Sequence, residues 1–143
     1  MQKTTGEGII MKMRKFLQNK LWRDKAPQLM ENMGSVIHIK ELSDEEYSHI
    51  LGLKLLEEAE EVAAAQSSEE RMSELADLYE VIDSLMALYK IDKDEVLISQ
   101  EKKRSQRGGF VERKYVTIAE HPEGSFGESY CLAQKKKYPE IID

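Results

Sequence analysis

Four acidic residues stand as two pairs at helical spacing, Glu58 with Glu61 and Glu74 with Asp77, each pair on or beside the apolar face of a predicted helix. A carboxylate turned toward an apolar core loses hydration at more than the roughly 2–7 kcal/mol of an uncharged polar group, so a positive partner must compensate it. Four carboxylates form a hard, all-oxygen donor set that suits Mg²⁺, with Mn²⁺ as the second choice. His38, His49 and His121 are scattered and read as surface or packing residues rather than as a zinc set.

The register follows from about 100° of rotation per residue. With Leu51 at zero, Tyr47, Leu55 and Val62 fall within about 40°, Glu58 lies at roughly 20°, Lys54 at roughly 60° and Glu61 at roughly 80°. Glu57 and Glu60 point away, toward solvent. In the next segment Leu75, Leu78, Ile82, Leu85 and Tyr89 define the apolar stripe; Glu74 lies within it and Asp77 borders it, while Glu80 and Asp83 take the far face. Acidic pairs on helices commonly form solvated faces, and 27 acidic against 21 basic residues produce some by chance. Two pairs on consecutive helices, each biased to its apolar side, favour a metal site.

The elements that must position these groups are mostly helical. Ser43 with Glu46 is a capping box opening a helix from Asp44 to about Ala65. Ser67 or Ser68 opens a second that reaches about Lys90, and a short connection makes the two an antiparallel hairpin that brings the acidic pairs together. A third helix runs from Asp92 to Arg104 or beyond, until Gly108 and Gly109 stop it. Upstream, Met13–Trp22 reads as a short amphipathic helix or turn, Ala26–Pro27 as a break, Gln28–Gly34 as a helical turn and Val36–Leu42 as a short extended segment. Past the glycines, the apolar residues of Phe110–Ile118 and Tyr130–Leu132, separated by the turn-rich His121–Ser125, fit a small C-terminal β-hairpin.

The fold class is therefore all-α: a helical hairpin plus a third helix, whose apolar stripes exceed what one subunit can cover and are completed as a four-helix core by dimerisation. Residues 1–12 read as a flexible leader, 13–110 as the helical domain and 111–143 as an extension. At 143 residues there is room for one ordinary domain with a real core. A net charge of −6 argues against a general nucleic-acid binder. The single Cys131 builds no internal disulfide, and neither a signal segment nor a membrane span is indicated, so a soluble cytoplasmic protein is expected.

Leu55-Leu56-Glu57-Glu58-Ala59-Glu60-Glu61-Val62 followed by Glu74-Leu75-Ala76-Asp77-Leu78 resembles the ExxE and ExxD signature of the MazG-type all-α nucleoside triphosphate pyrophosphohydrolases, a group that includes phosphoribosyl-ATP pyrophosphohydrolase. Lys20-Leu21-Trp22-Arg23-Asp24-Lys25-Ala26-Pro27 upstream and Arg107-Gly108-Gly109-Phe110 downstream resemble a branch of small house-cleaning pyrophosphatases with a similar KLxRDKxP start. The likeness covers about Lys20 to Phe110, and Tyr115–Asp143 falls outside it.

The resemblance implies Mg²⁺-dependent hydrolysis of a nucleoside triphosphate between the α and β phosphates, giving the monophosphate and pyrophosphate, in a homodimer or higher homo-oligomer. On that reading Glu58, Glu61, Glu74 and Asp77 hold the metal, which orients the triphosphate and acidifies an attacking water. Glu61, at the flank of the stripe, is the choice of general base. Lys54 either keeps Glu58 ionised, reaches a phosphate oxygen, or forms an ordinary i,i+4 surface pair. Lys103 and Arg107, on the face of Val96 and Gln100, are expected phosphate contacts; Arg23 and Lys25 are further ones or else members of an N-terminal ion pair. Trp22 and Tyr79 are either core or base-stacking residues. Three readings compete: house-cleaning of noncanonical or surplus nucleotides, phosphoribosyl-ATP pyrophosphohydrolase of histidine biosynthesis, and a helical dimer that binds nucleotide or a partner protein without turnover.

Overall fold

The computed structural model describes residues 3–5 and 9–143, with side chains from Lys12 onward. The chain divides into two units, 1–100 and 101–143. Of the expected leader, Lys3–Thr5 (β1) and Ile9–Met11 (β2) pair antiparallel with Lys3 opposite Met11, and residues 1, 2 and 6–8 lie outside the described residues. Beyond this ribbon the described residues form helices and loops.

Met13–Trp22, expected as a helix or turn, forms no helix. Phe16 is 67% and Leu17 89% exposed, so the middle of the segment has no cover among the described residues, and a helix of about ten residues with so little tertiary packing is too short to hold in water. The first helix, α1 (Ala26–Asn32), begins at the Ala26–Pro27 pair that was expected to be a break. Proline in the first turn loses no hydrogen bond, because that N–H has no intrahelical partner anyway. Gly34, at φ 101°, follows its end. Val36–Leu42 is loop, with no neighbouring strand among the described residues to make it a ladder.

Two 21-residue helices, α2 (Asp44–Ala64) and α3 (Ser68–Leu88), pack together as the expected hairpin. The Ser43 hydroxyl accepts from the Glu46 N–H at 3.2 Å, and the Ser43 N–H donates to the Glu46 carboxylate at 3.3 Å. Ser67 caps α3 by accepting from the Glu70 N–H at 3.1 Å, while Glu70 reaches back to the Gln66 N–H at 2.8 Å. These caps fix the connection at residues 65–67 and hence the register of α3 against α2. Leu51, 2% exposed, and Val81, 6%, are the buried apolar residues of the hairpin.

At the end of α3 the Ile91 N–H donates to the Met86 carbonyl at 2.9 Å and the Lys90 N–H to the Ala87 carbonyl at 3.3 Å. That closure needs Lys90 at φ 56°, a left-handed conformation that glycine adopts without crowding. Lys90→Gly is expected to stabilise the protein by about 0.5–1 kcal/mol, read as a higher midpoint of urea unfolding at unchanged slope. The next helix, α4 (Lys93–Arg107), starts where the Asp92 carboxylate accepts from the Asp94 N–H at 2.8 Å and stops at Gly108, φ 80°.

The second unit holds the end of α4 and a short helix, α5 (Phe126–Leu132), in place of the expected β-hairpin. Val111 is 92% and Tyr115 91% exposed, and residues 111–118 have neither a covered face nor a pairing strand among the described residues. The turn-rich stretch is a helix start. The Ser125 hydroxyl accepts from the Glu128 N–H at 3.3 Å, and Glu128 accepts from the Gly124 N–H at 3.0 Å. Gly127 permits the close approach of the His121 ring, which leaves no room for a Cβ there. Tyr130 stacks between Phe126 and Tyr138, ring centroids 6.0 and 5.8 Å away.

Candidate metal centre

The short connection of the hairpin sets the Glu58 and Glu61 turns of α2 beside the Glu74 turn of α3. Glu58 is 5% exposed, the buried charged residue among those described. One of its oxygens, Oε1, takes Lys54 Nζ at 3.2 Å, and the Lys54 side chain is itself only 22% exposed. The other, Oε2, is buried with no hydrogen-bond partner, and so is Glu74 Oε2. Lys54 thus meets half of one carboxylate's demand and leaves two buried acceptors facing a third acidic side chain.

Ligand oxygens of Glu58, Glu61 and Glu74 lie within 4.8 Å of one another. Opposed oxygens stand about 4.2 Å apart across Mg²⁺ and about 4.6–5.2 Å apart across Ca²⁺, so a divalent cation can bridge the trio with small side-chain shifts. The orphaned oxygens and the all-carboxylate donors fit such an ion.

Electrostatics point the same way. Burial pushes the Glu58 carboxyl above the ordinary range, Lys54 pulls it back, and Glu61 adds to the rise. The proximity of Glu74 raises Glu61 in turn, with Glu58 acting in the opposite sense. Both groups therefore hold protons more tightly folded than unfolded. Metal-free protein is expected to gain stability as pH falls through their raised range, a gain complete once the ordinary carboxylate range is reached. The stabilisation added by Mg²⁺ shrinks over the same window, since cation and proton compete; thermal melts with EDTA or Mg²⁺ between pH 7 and 5 read both trends.

Asp77 stands apart from the trio. Its Oδ1 takes Arg23 Nη2 at 2.7 Å, and this partner raises the guanidinium pKa further. Glu57, expected to face solvent, takes Lys20 Nζ at 2.8 Å and Lys54 Nζ at 3.5 Å, its side chain only 29% exposed. Lys20 holds the Glu57 carboxyl below the ordinary range. The Lys54 contact follows from i,i+3 spacing, but the Lys20 contact spans 37 positions, beyond any helical periodicity. Lys25 is the residue before α1 and enters none of the described ion pairs. Lys103 and Arg107 are exposed on α4, in the second unit. Trp22 is half-buried, whereas Tyr79 is 63% exposed and not core.

No family model, curated protein or solved structure matches the chain. The chemistry therefore rests on the residues themselves. No helix among the described residues is long and apolar enough to cross a membrane.

Proposed function

We propose that the protein hydrolyses a nucleoside triphosphate between its α and β phosphates, releasing the monophosphate and pyrophosphate, with Mg²⁺ or Mn²⁺ held by Glu58, Glu61 and Glu74. The observation that carries this reading is the buried Glu58, whose Oε2 lacks a partner beside two further carboxylates. The motif likeness over Lys20–Phe110 supplies the reaction class. When bound, the cation neutralises triphosphate charge and acidifies a water. Glu61, the exposed member of the trio, takes the proton of the attacking water. Lys54 keeps Glu58 Oε1 in place, leaving Oε2 for the metal. Arg23 and Lys25 are the proposed contacts to phosphate oxygens.

Noncanonical or surplus nucleotides are the favoured substrates, in the cytoplasm, where triphosphates abound and Cys131 stays reduced. A second copy of the chain is proposed to cover Leu53, Leu56, Met72 and Leu75, which are 50%, 61%, 67% and 40% exposed on the two long helices. The test is a panel of nucleoside triphosphates plus phosphoribosyl-ATP with Mg²⁺, read by pyrophosphate release. Turnover of one or a few noncanonical triphosphates is the expected result; turnover of phosphoribosyl-ATP alone moves the protein to histidine biosynthesis, and Mg²⁺ binding with no pyrophosphate from any member supports a non-enzymatic dimer.

A further inference from the structure

Asp77 is the odd member of the acidic set. Its spacing from Glu74 groups it with the others, yet Glu58, Glu61 and Glu74 converge while Asp77 is bound to Arg23. That guanidinium comes from 54 positions upstream, outside the hairpin. Lys20, on the same segment, binds Glu57 of α2. Residues 20–23 are thus strapped to both helices beside the acidic cluster. Both pairs are partly open to water: the side chains are 59% and 37% exposed for Arg23–Asp77, and 54% and 29% for Lys20–Glu57. Ion pairs of this exposure exchange readily, whereas a divalent cation binds several carboxylate oxygens at once. Arg23 leaves the buried oxygens of Glu58 and Glu74 unpartnered, so the demand for a cation persists with the strap in place.

We infer that Arg23 is an internal counter-ion, holding Asp77 until a divalent cation claims that carboxylate, and that the released guanidinium then takes a phosphate group. This inference rests on the divalent-cation reading above. A guanidinium donates to phosphate oxygens as well as to carboxylate oxygens, so the Arg23 Nη2 contact with Asp77 Oδ1 can be exchanged for one with phosphate. Cation and phosphate shift one shared equilibrium, and each therefore strengthens binding of the other.

Calorimetric titration with Mn²⁺, with and without inorganic phosphate, tests this. Arg23→Ala is expected to tighten Mn²⁺ about two- to five-fold, the range one exposed ion pair supports. Lys25→Ala removes the same charge nearby and is expected to leave the affinity unchanged. In an Asp77→Asn background Arg23→Ala loses its effect, and phosphate tightens Mn²⁺ less in Arg23→Ala than in the wild type. Trp22, the single tryptophan, adjoins Arg23, so Mg²⁺ shifts its emission in the wild type, and the metal-free Arg23→Ala protein already shows the shifted spectrum. Equal Mn²⁺ affinity in wild type and Arg23→Ala, or an equal gain from Lys25→Ala, overturns the role of Arg23 and leaves the metal site intact. Absence of Mn²⁺ binding in every variant removes the metal site and this inference together.

Discussion

Glu58→Gln is expected to lower pyrophosphate release by about two to four orders of magnitude, the usual effect of removing a charged group from a phosphate-transfer site. The same change is expected to raise the thermal midpoint in EDTA. A carboxylate that is 5% exposed, with only Lys54 Nζ on one oxygen, is poorly compensated, and an uncharged isostere relieves its desolvation. The gain is on the order of 1 kcal/mol, a few degrees for a chain of this size. Stabilisation by Mg²⁺ is lost at the same time. Better stability with lost activity is the signature of a residue kept for chemistry. A lower midpoint in EDTA would instead make Glu58 a structural partner of Lys54. Circular dichroism melts and the pyrophosphate assay, run on the same samples, distinguish the two.

Leu51→Ala is expected to carry the largest stability effect of any single substitution, about 2–5 kcal/mol. Leu51 is 2% exposed in the middle of α2, and Val81 of α3 is its buried counterpart on the hairpin. Small domains are stable by only about 5–15 kcal/mol, so this one cavity consumes a large share, and the midpoint falls by roughly 10 °C. Leu56→Ala provides the contrast. Leu56 is 61% exposed, and in an isolated subunit its truncation changes stability by less than about 0.5 kcal/mol. If a second copy covers it, Leu56→Ala lowers the dimer fraction in sedimentation while leaving the unfolding slope of the monomer unchanged.

Glu58 and Glu74 were legible in the sequence because a helix converts spacing into direction: a residue roughly 20° from Leu51 on the wheel shares its burial. The capping box at Ser43 and Glu46 carried the start of α2 in the same local way. What the sequence hid were partnerships between distant residues. Nothing at Glu57 announces Lys20, and nothing at Asp77 announces Arg23, since 37 and 54 positions of helix and loop separate the partners. The apolar side of Met13–Trp22 suggested a helix because periodicity cannot report that no surface is there to receive it. In the C-terminal unit, Ser125-x-x-Glu128 was a helix cap in plain view, outweighed by the surrounding glycine and proline that suggest a hairpin turn.

An anomalous difference map from crystals soaked in Mn²⁺ tests the central claim most directly. The account predicts a peak among the carboxylates of Glu58, Glu61 and Glu74, within about 2.1–2.3 Å of an oxygen of each, with Glu58 Oε2 among the ligands. Full soaking with no peak there, and Glu58 Oε2 instead hydrogen-bonded to a protonated Glu61 or Glu74, would contradict it.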